Sequence, residues 1–591
     1  MDPEKQPLTG ITPAQAPPRR RYITPRSVGF LLIGLLLIGR LITGAFIFTH
    51  VTKHLGSTGT EVGRCTQFDA LVPPADAPLD QNHETIFSED YRLKSVKIHS
   101  GLVQVKSESF DDNGDVGGPN RDVRWDNFYE IAKYLEKTFP LLHEKLTLTK
   151  VNTHGLVFTW EGSDTSLAPS LFMAHQDTVP VNPSTLNLWT YAPWSGHYDG
   201  KYVWGRGAAD CKNTLSGILE AVTLLLEGGF KPQRTAVFAF GFDEESKGWE
   251  GAGEISKYLE GVYGKDGFAF AIDEGGLGIG EMYGAAMALP ATGEKGYIDV
   301  NFTLHTPGGH SSIPPPHTGI GILSSIVTHL ESSPYSPSIN LESPIFSLLQ
   351  CVAEHGKLPG DLKTYVDKGS RAGKWGARAR QIVADKFAAL GRAQRYLVST
   401  SQAADVIGGG VKVNALPETS YVVVNYRVAV DSSPQVVIDK ITTLMLPIAH
   451  KFSLDLDAFG QKFSFKPEES LEGASDEIVG GELKILAVNA LEPAPISPTA
   501  SKQWKILSST IQHVYQSKYP DGLVVSPSVM TGNTDTRFMW NLTKHIYRFT
   551  PMDRAASFGI HTVDEHLLFD DHIDGVWFFH ELIRNSDAAE F

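Results

Sequence analysis

The sequence predicts an α/β protein, with a mostly parallel sheet between helices in a catalytic domain and a smaller α/β domain inserted into it. Three observations support this. Apolar strands alternate with amphipathic helices, which is typical of a sheet covered on both faces. Several of these strands end in acidic or histidine residues. From about residue 292 the strands alternate apolar and polar residues, as one-sided antiparallel strands do.

The predicted elements of the first domain follow in chain order. The spacing of apolar residues predicts helices, the second of which ends at a glycine pair. Short apolar runs rich in β-branched and aromatic residues predict strands, with a turn near His154 and Gly155 between the first two. The helices are "WDNFYEIAKYLEKTF" and "KNTLSGILEAVTLLLEGG", and the strands are "LTLTKVNTHGLVFTWEG" (two), "PSLFMAHQDTVPV", "RTAVFAFGFDEE" and "GFAFAIDEGG".

The inserted domain is predicted from about 292 to 493. It contains the alternating strands "KGYIDVNFTLHTP" and "ETSYVVVNYRVAV" and the helices "GIGILSSIVTHLE" and "SPQVVIDKITTLML". A helical insertion without a readable motif occupies 344–397. The catalytic domain therefore consists of 85–291 and, after the insertion, 494–591.

The N-terminal region predicts a membrane anchor. The segment "SVGFLLIGLLLIGRLITGAFIF", 27–48, is long enough to cross a bilayer as a helix. Four arginines precede it, so the positive-inside rule predicts a single-pass type II anchor with a cytosolic tail, 1–26, and a stalk, 49–84. A cleaved signal peptide is the alternative, but its apolar run is usually shorter. Sequons at Asn301 and Asn541 are compatible with the secretory route.

Charge and cysteine content narrow the function classes. The net charge of −15 argues against nucleic acid as a partner. Three cysteines are too few for a disulfide framework. One bridge is plausible, Cys65 to Cys351, and Cys211 is expected to be a free thiol.

One stretch, "LFMAHQDTVP", carries the first chemical signal. Its apolar residues predict a buried strand that ends in His175, with Asp177 two positions later. Side chains at i and i+2 share one face of a strand. They are therefore expected together at the carboxyl edge of the sheet, where open α/β sheets bind ligands. The simpler alternative is a His–Asp hydrogen bond that only closes the strand.

Further candidates follow other predicted strands. Several carboxylates and two histidines meeting at one sheet edge would repel one another unless a cation neutralised them. Imidazole and carboxylate together suit zinc, whereas an all-oxygen calcium or magnesium site needs no histidine. Taken singly, the pair Glu244 and Glu245 also fits a solvated acidic turn, Asp273 a helix N-cap, and His561 a surface histidine. The candidates are Asp210, Glu244 with Glu245, Asp273 with Glu274, and His561.

Five motifs together resemble the family of dinuclear-zinc exopeptidases and aminoacylases, in particular its fungal vacuolar carboxypeptidase branch. They are "MAHQDTVPV", "GRGAADCKN", "DEESKGWEGA", "TPGGHSSIPP" and "KVNALPE". The resemblance covers about 85–591, and that branch also has an N-terminal membrane anchor.

The resemblance implies a role for each candidate. Two zinc ions would share Asp210 as a bridge and a water or hydroxide as nucleophile. His175 and Asp273 would complete one zinc site, and Glu245 and His561 the other. Glu244 would be the general base. Asp177 would be an active-site residue that orients His175.

The resemblance also implies substrate-binding residues in the inserted domain. His310 would stabilise the oxyanion, often in the site of a partner subunit, so a homodimer through this domain is a possibility. Asn414 and Arg427 would hold the substrate, with the arginine on a free carboxylate; a salt bridge on a strand face is the alternative for Arg427. The loop "TGNTDTRFMW" is a further candidate for the pocket.

These expectations combine into a membrane-anchored zinc carboxypeptidase that faces the lumen of the vacuole. It would release C-terminal amino acids from short peptides of the Gly-X type. An N-acyl-amino-acid amidase would use the same site, because both reactions cleave an amide near a free carboxylate. A non-catalytic metal-binding membrane protein is the more distant alternative, and it would not need Glu244.

Overall fold

The computed structural model describes residues 65–465, 480–553 and 559–591. Its largest sheet has eight strands in the order β1-β2-β6-β3-β7-β21-β10-β20. The central strands β6, β3, β7 and β21 run parallel, whereas β1, β2 and the β21–β10 pair are antiparallel. The strands are β1 Thr147–Val151, β2 Gly155–Trp160, β3 Ser170–His175, β6 Ala236–Gly241, β7 Phe270–Asp273, β10 Ala291–Glu294, β20 Ser528–Met530 and β21 Ile546–Arg548.

The predicted mostly parallel sheet is therefore a mixed sheet with a parallel centre. The hairpin of β1 and β2 accounts for one flank, because two strands joined by a short turn must pair antiparallel. Every residue of β3, β6 and β7 is buried, as expected for strands covered on both faces.

Helices cover the faces and ends of this sheet. They are α1 Ala77–Asp80, α2 Asn82–Ile86, α3 Glu89–Val103, α4 Asn127–Thr138, α5 Pro140–Lys145, α6 Lys212–Glu227, α7 Glu254–Tyr263, α14 Lys502–Tyr515 and α15 Phe569–Asp587. Short 3-10 or π-helical turns lie at Val123–Asp126, Pro183–Leu188, Trp249–Gly253 and Asp535–Phe538. The predicted helices at 125–139 and 212–229 correspond to α4 and α6.

A second sheet of six strands forms within the predicted insertion, in the order β13-β15-β11-β18-β16-β17. Its buried face packs against helices α8 Gly319–Glu331 and α13 Pro434–Lys451. Its strands are β11 Gly296–His305, β13 Ala403–Gly409, β15 Thr419–Val428, β16 Leu454–Ala458, β17 Gln461–Phe463 and β18 Gly481–Leu491. A two-stranded arm beside it is formed by β12 Gly309–His310 and β14 Ala415–Leu416.

The helical insertion is not part of that second core. Its helices pack with the three-stranded sheet β19-β9-β8 and with Val529 of β20, in a core that belongs to the catalytic side. The helices are α9 Pro344–His355, α10 Leu362–Gly369, α11 Gly373–Ala388 and α12 Arg392–Leu397. The sheet consists of β8 Ile279–Met282, β9 Ala285–Ala288 and β19 Leu523–Val525; β4 His197–Tyr198, β5 Tyr202–Trp204 and β22 His566–Leu568 form another small sheet.

Cys65 and Cys351 form a disulfide and Cys211 is a buried free thiol, as predicted. The bridge ties the first described residue to α9. The described part of the predicted stalk, 65–84, is folded against the catalytic domain. Leu71 donates its backbone N–H to Ser509, Leu79 is buried in the main core, and Phe68 packs against it. These apolar side chains explain why the segment packs rather than standing free as a stalk.

The tail and the predicted membrane helix at 27–48 lie outside the described residues. Across 65–465, 480–553 and 559–591, no helix combines the length and the apolar character that crossing a membrane requires.

Candidate metal centre

His175 lies at the carboxyl end of β3, in the middle of the large sheet, and is buried. Its Nδ1 is 3.1 Å from the backbone oxygen of Asp177 and 3.3 Å from that residue's carboxylate. Contact with this oxygen, which can only accept, fixes the proton on Nδ1 and leaves Nε2 free to act as a donor atom toward a metal.

The carboxylate of Asp177 orders the loop that carries the two glutamates. Its Oδ1 accepts the backbone N–H of Glu244, and its Oδ2 accepts the N–H of Glu245 and the hydroxyl of Ser109. Asp177 is completely buried. Asp177, two residues after His175, therefore positions the neighbouring loop that carries Glu244 and Glu245.

Asp210 lies between the two histidines. Its Oδ1 is 3.3 Å from Nε2 of His175, and its Oδ2 is 3.1 Å from Nε2 of His561. It directly precedes Cys211, which caps α6, so the helix dipole also favours its negative charge. Each carboxylate oxygen therefore faces a different histidine.

Glu245 contacts the second histidine. Its Oε2 is 2.9 Å from Nε2 of His561. His561 adopts a positive φ of 61°, an uncommon conformation for a residue with a side chain, and it turns toward the sheet edge. Glu244 lies with Glu245 and His175 in a group whose ligand atoms are all within 4.8 Å of one another.

Glu274, rather than Asp273, contacts His175. The Oε1 of Glu274 is 3.1 Å from Nε2 of His175. Asp273 ends β7, and its Oδ1 accepts the backbone N–H of Glu274. Successive residues of a strand point to opposite faces, so only one of the two can point at the histidine. The described geometry therefore favours Glu274 for the position that the sequence assigned to Asp273.

The pKa values reflect how crowded these charges are. Burial raises the pKa of Glu244 well above its ordinary value; the charge of His175 opposes this and that of Glu245 adds to it. Burial and Asp210 raise the pKa of Glu245 to about 7. Hydrogen bonds to Asp210 and Glu245 raise the pKa of His561 to about 10. Burial alone would raise the pKa of Asp210, but its hydrogen bonds with both histidines hold it well below its ordinary value.

This donor set fits a metal. Three overlapping groups bring their ligand atoms within 4.8 Å of one another: His175, Cys211 and Glu274; His175, Glu244 and Glu245; and Asp210, Glu245 and His561. Imidazole nitrogens and carboxylate oxygens at this spacing suit zinc. A cation would also offset the mutual repulsion of the buried carboxylates.

None of the predicted substrate-binding residues belongs to these groups of donors in the described part of the chain. His310 and Asn414 are exposed on the arm of β12 and β14, where Ser311 donates its N–H to the oxygen of Asn414. Arg427 lies half-buried on β15 and donates from its guanidinium to Oδ1 of Asn533 at 2.8 Å. The structure therefore links Arg427 to the loop that begins at Thr531, which the sequence had named as a lesser candidate.

A cavity of about 280 Å³ adjoins two of the ligand candidates. Its polar lining includes Asp210, Glu274, Thr550 and Asp553. Its larger apolar side chains are those of Leu277, Met530, Met552 and Ile560. These apolar side chains suit an aliphatic group of a substrate, and methionine side chains adapt to different shapes.

Sequence reasoning missed Glu565. Its buried carboxylate accepts the backbone N–H groups of Gly207, Ala209 and Asp210, and it pairs with Arg206 at 2.7 Å. It thus holds the loop that carries Asp210. The only sequence signal was an acidic residue four positions after His561, which is a weak one.

Asp535 was also missed. It is buried, and within the described part of the chain neither of its carboxylate oxygens has a hydrogen-bond partner. A Cβ on Gly241, at the end of β6, would lie 2.4 Å from its Oδ2, so the glycine makes room for it. Burial raises the pKa of Asp535 well above its ordinary value.

Comparisons with known proteins agree with this geometry. The model of peptidase family M20/M25/M40 matches residues 171–585. Carboxypeptidase S of Saccharomyces cerevisiae is 38% identical over 542 residues, 90% of each chain. The N-fatty-acyl-amino acid synthase/hydrolase of Homo sapiens is 28% identical over 515 residues, 85% of this chain and 90% of that protein.

Solved structures share the fold. The M20 family metallo-carboxypeptidase of Sulfolobus solfataricus superposes with a TM-score of 0.55 at 17% identity, covering 84% of this chain and 99% of the other. Human carnosine dipeptidase 1 gives a TM-score of 0.57 at 14% identity, covering 88% and 100%.

The predicted resemblance to the carboxypeptidase S branch is thereby confirmed, and so is the prediction of a hydrolase of the metallo-carboxypeptidase class. The chain belongs to peptidase family M20/M25/M40.

Proposed function

We propose that this chain is a zinc carboxypeptidase that releases the C-terminal amino acid from short peptides, with a preference for Gly-X ends. One observation carries the proposal. The two oxygens of Asp210 each face a different histidine, and each histidine has its own glutamate, Glu274 or Glu245. This is the arrangement that two metal ions sharing one carboxylate require.

In this account Asp210 would hold zinc together with His175 and Glu274 on one side and with Glu245 and His561 on the other. When bound, the zinc ions would polarise the scissile carbonyl and lower the pKa of water to near neutrality. Asp177 holds the backbone N–H groups of the 244–245 loop and keeps both glutamates in place.

Glu244 moves the proton. Its backbone N–H is bonded to Asp177, and its side chain lies in the same group as His175 and Glu245. The carboxylate accepts a proton from the attacking water and returns it to the leaving nitrogen. The burial that raises its pKa also makes it a better proton acceptor for this step.

Arg427 recognises the free carboxylate of the substrate. Its guanidinium is planar and suited to bidentate contact with a carboxylate, and Asn533 fixes one of its nitrogens. The salt-bridge alternative is not supported, because Arg427 makes no ion pair within the residues that the structure describes. A free carboxylate is the feature that separates a carboxypeptidase substrate from an internal peptide bond.

A second candidate is hydrolysis of N-acyl amino acids. The relatives named N-fatty-acyl-amino acid synthase/hydrolase match 85% of this chain, and the cavity beside Asp210 and Glu274 is lined in part by apolar side chains. An aliphatic acyl group would fit there as well as an apolar side chain does. The catalytic residues would be the same.

The homodimer is also part of the proposal. His310 and Asn414 are exposed at the β12–β14 arm, close in sequence to the fully exposed Val411 and Val413. We propose that His310 completes the site of a partner subunit. Mixing inactive His310→Ala and Glu244→Gln proteins should restore part of the activity, because one site of a mixed dimer would be intact. No recovery from a confirmed mixed dimer would contradict this role.

The proposed location is the vacuole membrane, with a single-pass type II anchor and the catalytic part in the lumen. The disulfide between Cys65 and Cys351 supports an oxidising compartment on the secretory route. A protease-protection assay on intact vacuoles should find the catalytic part protected. Digestion of that part without detergent would contradict this orientation.

The test of the reaction uses the purified full-length protein. Release of leucine is measured from N-blocked Gly-Leu and from N-lauroyl-leucine, before and after chelation and after zinc is restored. Faster cleavage of the dipeptide that depends on zinc supports the carboxypeptidase. Faster cleavage of the acyl substrate supports the second candidate. Hydrolysis of neither by protein that contains zinc would leave the non-catalytic metal-binding protein as the better account.

A further inference from the structure

Lys295 lies between the two sheets, directly after β10 and before β11. Its side chain is 1% exposed, and its Nζ donates to the backbone oxygen of Ser399 at 2.7 Å. No acidic group forms an ion pair with it among the described residues. The adjacent Glu294 is already paired with Arg548 at 3.0 Å. Burying an ammonium group without a partner anion costs free energy of folding, so the burial of Lys295 requires an explanation.

Arg427 is its neighbour. Asn533 touches both residues, since its Oδ1 accepts from the Arg427 guanidinium and its Nδ2 donates to the backbone oxygen of Lys295. Arg427 also lies over the ring of Tyr297, the residue opposite it on β11. Burial and the charge of Arg427 lower the pKa of Lys295 to about 8, so the lysine is still largely protonated at neutral pH.

The end of the helical insertion holds both cations in place. Ser399, two residues after α12, supplies the oxygen for Lys295, and Ser401 donates its N–H to the backbone oxygen of Arg427. Thr400 accepts the N–H of Ala429, directly after the strand that carries Arg427. Residues 399–401, just after the insertion, are thus fixed against the two elements that carry the positive charges.

We infer that Lys295 is a specificity-determining residue, which together with Arg427 forms a cationic pair that selects substrates with a free C-terminal carboxylate. The segment that follows the insertion 344–397 fixes this pair through the backbone groups of Ser399 and Ser401. This inference rests on the proposed role of Arg427 in binding the substrate carboxylate, and it adds the positive charge of Lys295 to that role. Two adjacent cations that lack acidic partners of their own favour an anion between or beside them. The buried lysine acts through the electrostatic potential, whereas the half-buried arginine makes the contact.

The experiment compares N-blocked Gly-Leu with its C-terminal amide. In Lys295→Met we expect KM for the free acid to rise by about tenfold or more, with kcat within about twofold, because the lost charge acts on binding. The kinetics of the amide should not change. The preference for acid over amide therefore falls, which a merely structural defect would not cause. Equal losses on both substrates, or an unchanged preference, would overturn the inference.

Further variants provide a control and a second test of this result. Lys440→Met is the matched control, because Lys440 also donates to a backbone oxygen, that of Pro334, but lies on α13 at the other face of the second sheet. Its preference for the acid should equal that of the wild type. Asn533→Asp places a carboxylate against the guanidinium of Arg427 and should also reduce the preference. If Lys295→Met does not fold, Lys295→Gln, which keeps a donor for the backbone oxygen of Ser399 but carries no charge, decides the question.

Calorimetric binding of free leucine and of leucinamide provides a readout that needs no turnover. Leucine should bind more weakly to Lys295→Met than to the wild type, and leucinamide equally to both. Unchanged leucine binding would overturn the inference even if the peptidase assay succeeds. If neither peptide is hydrolysed but leucine binding still depends on Lys295, the proposed reaction fails while the carboxylate site stands.

Discussion

At the scale of single residues, the centre depends on carboxylates that hold other groups in place. Asp177 holds the loop of Glu244 and Glu245, and Glu565 holds the loop of Asp210. Both are buried and both accept backbone N–H groups. Such partners of metal ligands usually matter nearly as much for metal binding as the ligands do.

The first prediction concerns Glu565. Replacing it with glutamine removes the charge that holds Arg206 and weakens the bonds to three backbone N–H groups. Zinc affinity should fall by about 10- to 100-fold, measured by competition with a chelator of known affinity. The control is Asp564→Asn, since the carboxylate of the neighbouring Asp564 accepts from Thr190 and not from the loop of Asp210. Equal affinities for the two variants would contradict the role of Glu565.

The second prediction separates Glu274 from Asp273. Glu274→Gln should lose zinc, because its carboxylate faces His175. Asp273→Asn should keep it, because Oδ1 of Asp273 accepts the backbone N–H of Glu274 rather than facing His175. The measurement is zinc per chain after gel filtration. The reverse pattern would restore Asp273 as the ligand that the sequence suggested.

These two residues show what a sequence can give at this scale. The order His175, Asp210, Glu244–Glu245 and His561 predicted which side chains meet, because each follows a predicted strand or a distinct motif. The choice between adjacent Asp273 and Glu274 depends on where β7 ends and which face each residue takes. The sequence pattern indicates neither the end of β7 nor the face that each residue takes.

At the scale of elements, helix α15 holds the segment 65–84 against the catalytic domain. Glu581 on this helix accepts from His513 at 2.8 Å and from His580 at 2.9 Å, and it lies 3.2 Å from Arg584. Arg584 in turn pairs with Asp80 and donates to the oxygen of Pro74. The helix thereby anchors the segment that the sequence interpreted as a stalk.

The third prediction follows from Glu581. Burial alone would raise its pKa, but hydrogen bonds from His513 and His580 outweigh this and lower it to about 2 from the usual 4.5. Its contribution to stability, on the order of 3 kcal/mol, is thus present above about pH 4.5 and lost as the pH falls toward 2. Urea midpoints measured from pH 6 to 3 should fall more steeply for the wild type than for Glu581→Gln. Parallel curves would contradict the assignment.

The sequence predicted elements well where the pattern was long and periodic, as in α4, α6 and the β1–β2 hairpin. It did not predict that the helices of 344–397 pack on the catalytic side, because their apolar faces carry no information about which sheet they cover. The same limit applies to residues 65–84, whose few apolar side chains are buried only in the context of the folded main core.

At the scale of the whole molecule, one disulfide joins residues 286 positions apart. Cross-linking so long a loop restricts the unfolded chain, and typical stabilisation is about 2–4 kcal/mol. The bridge joins Cys65 to helix α9 of the insertion.

The fourth prediction concerns this bridge. Thiol titration of the unfolded, unreduced protein should find one free thiol per chain, Cys211, and Cys351→Ser should lower the melting temperature. Cys211→Ser serves as the control, and no free thiol should be found in the unfolded, unreduced variant. Three thiols in the unreduced wild type would show that the bridge is absent.

The central claim is that the metal centre is catalytic and that Glu244 moves the proton. It is tested most directly by measuring zinc content and leucine release together for Glu244→Gln. The account predicts two zinc ions per chain, as in the wild type, with kcat reduced by about 10²- to 10⁴-fold. Full zinc content with nearly unchanged kcat would contradict it.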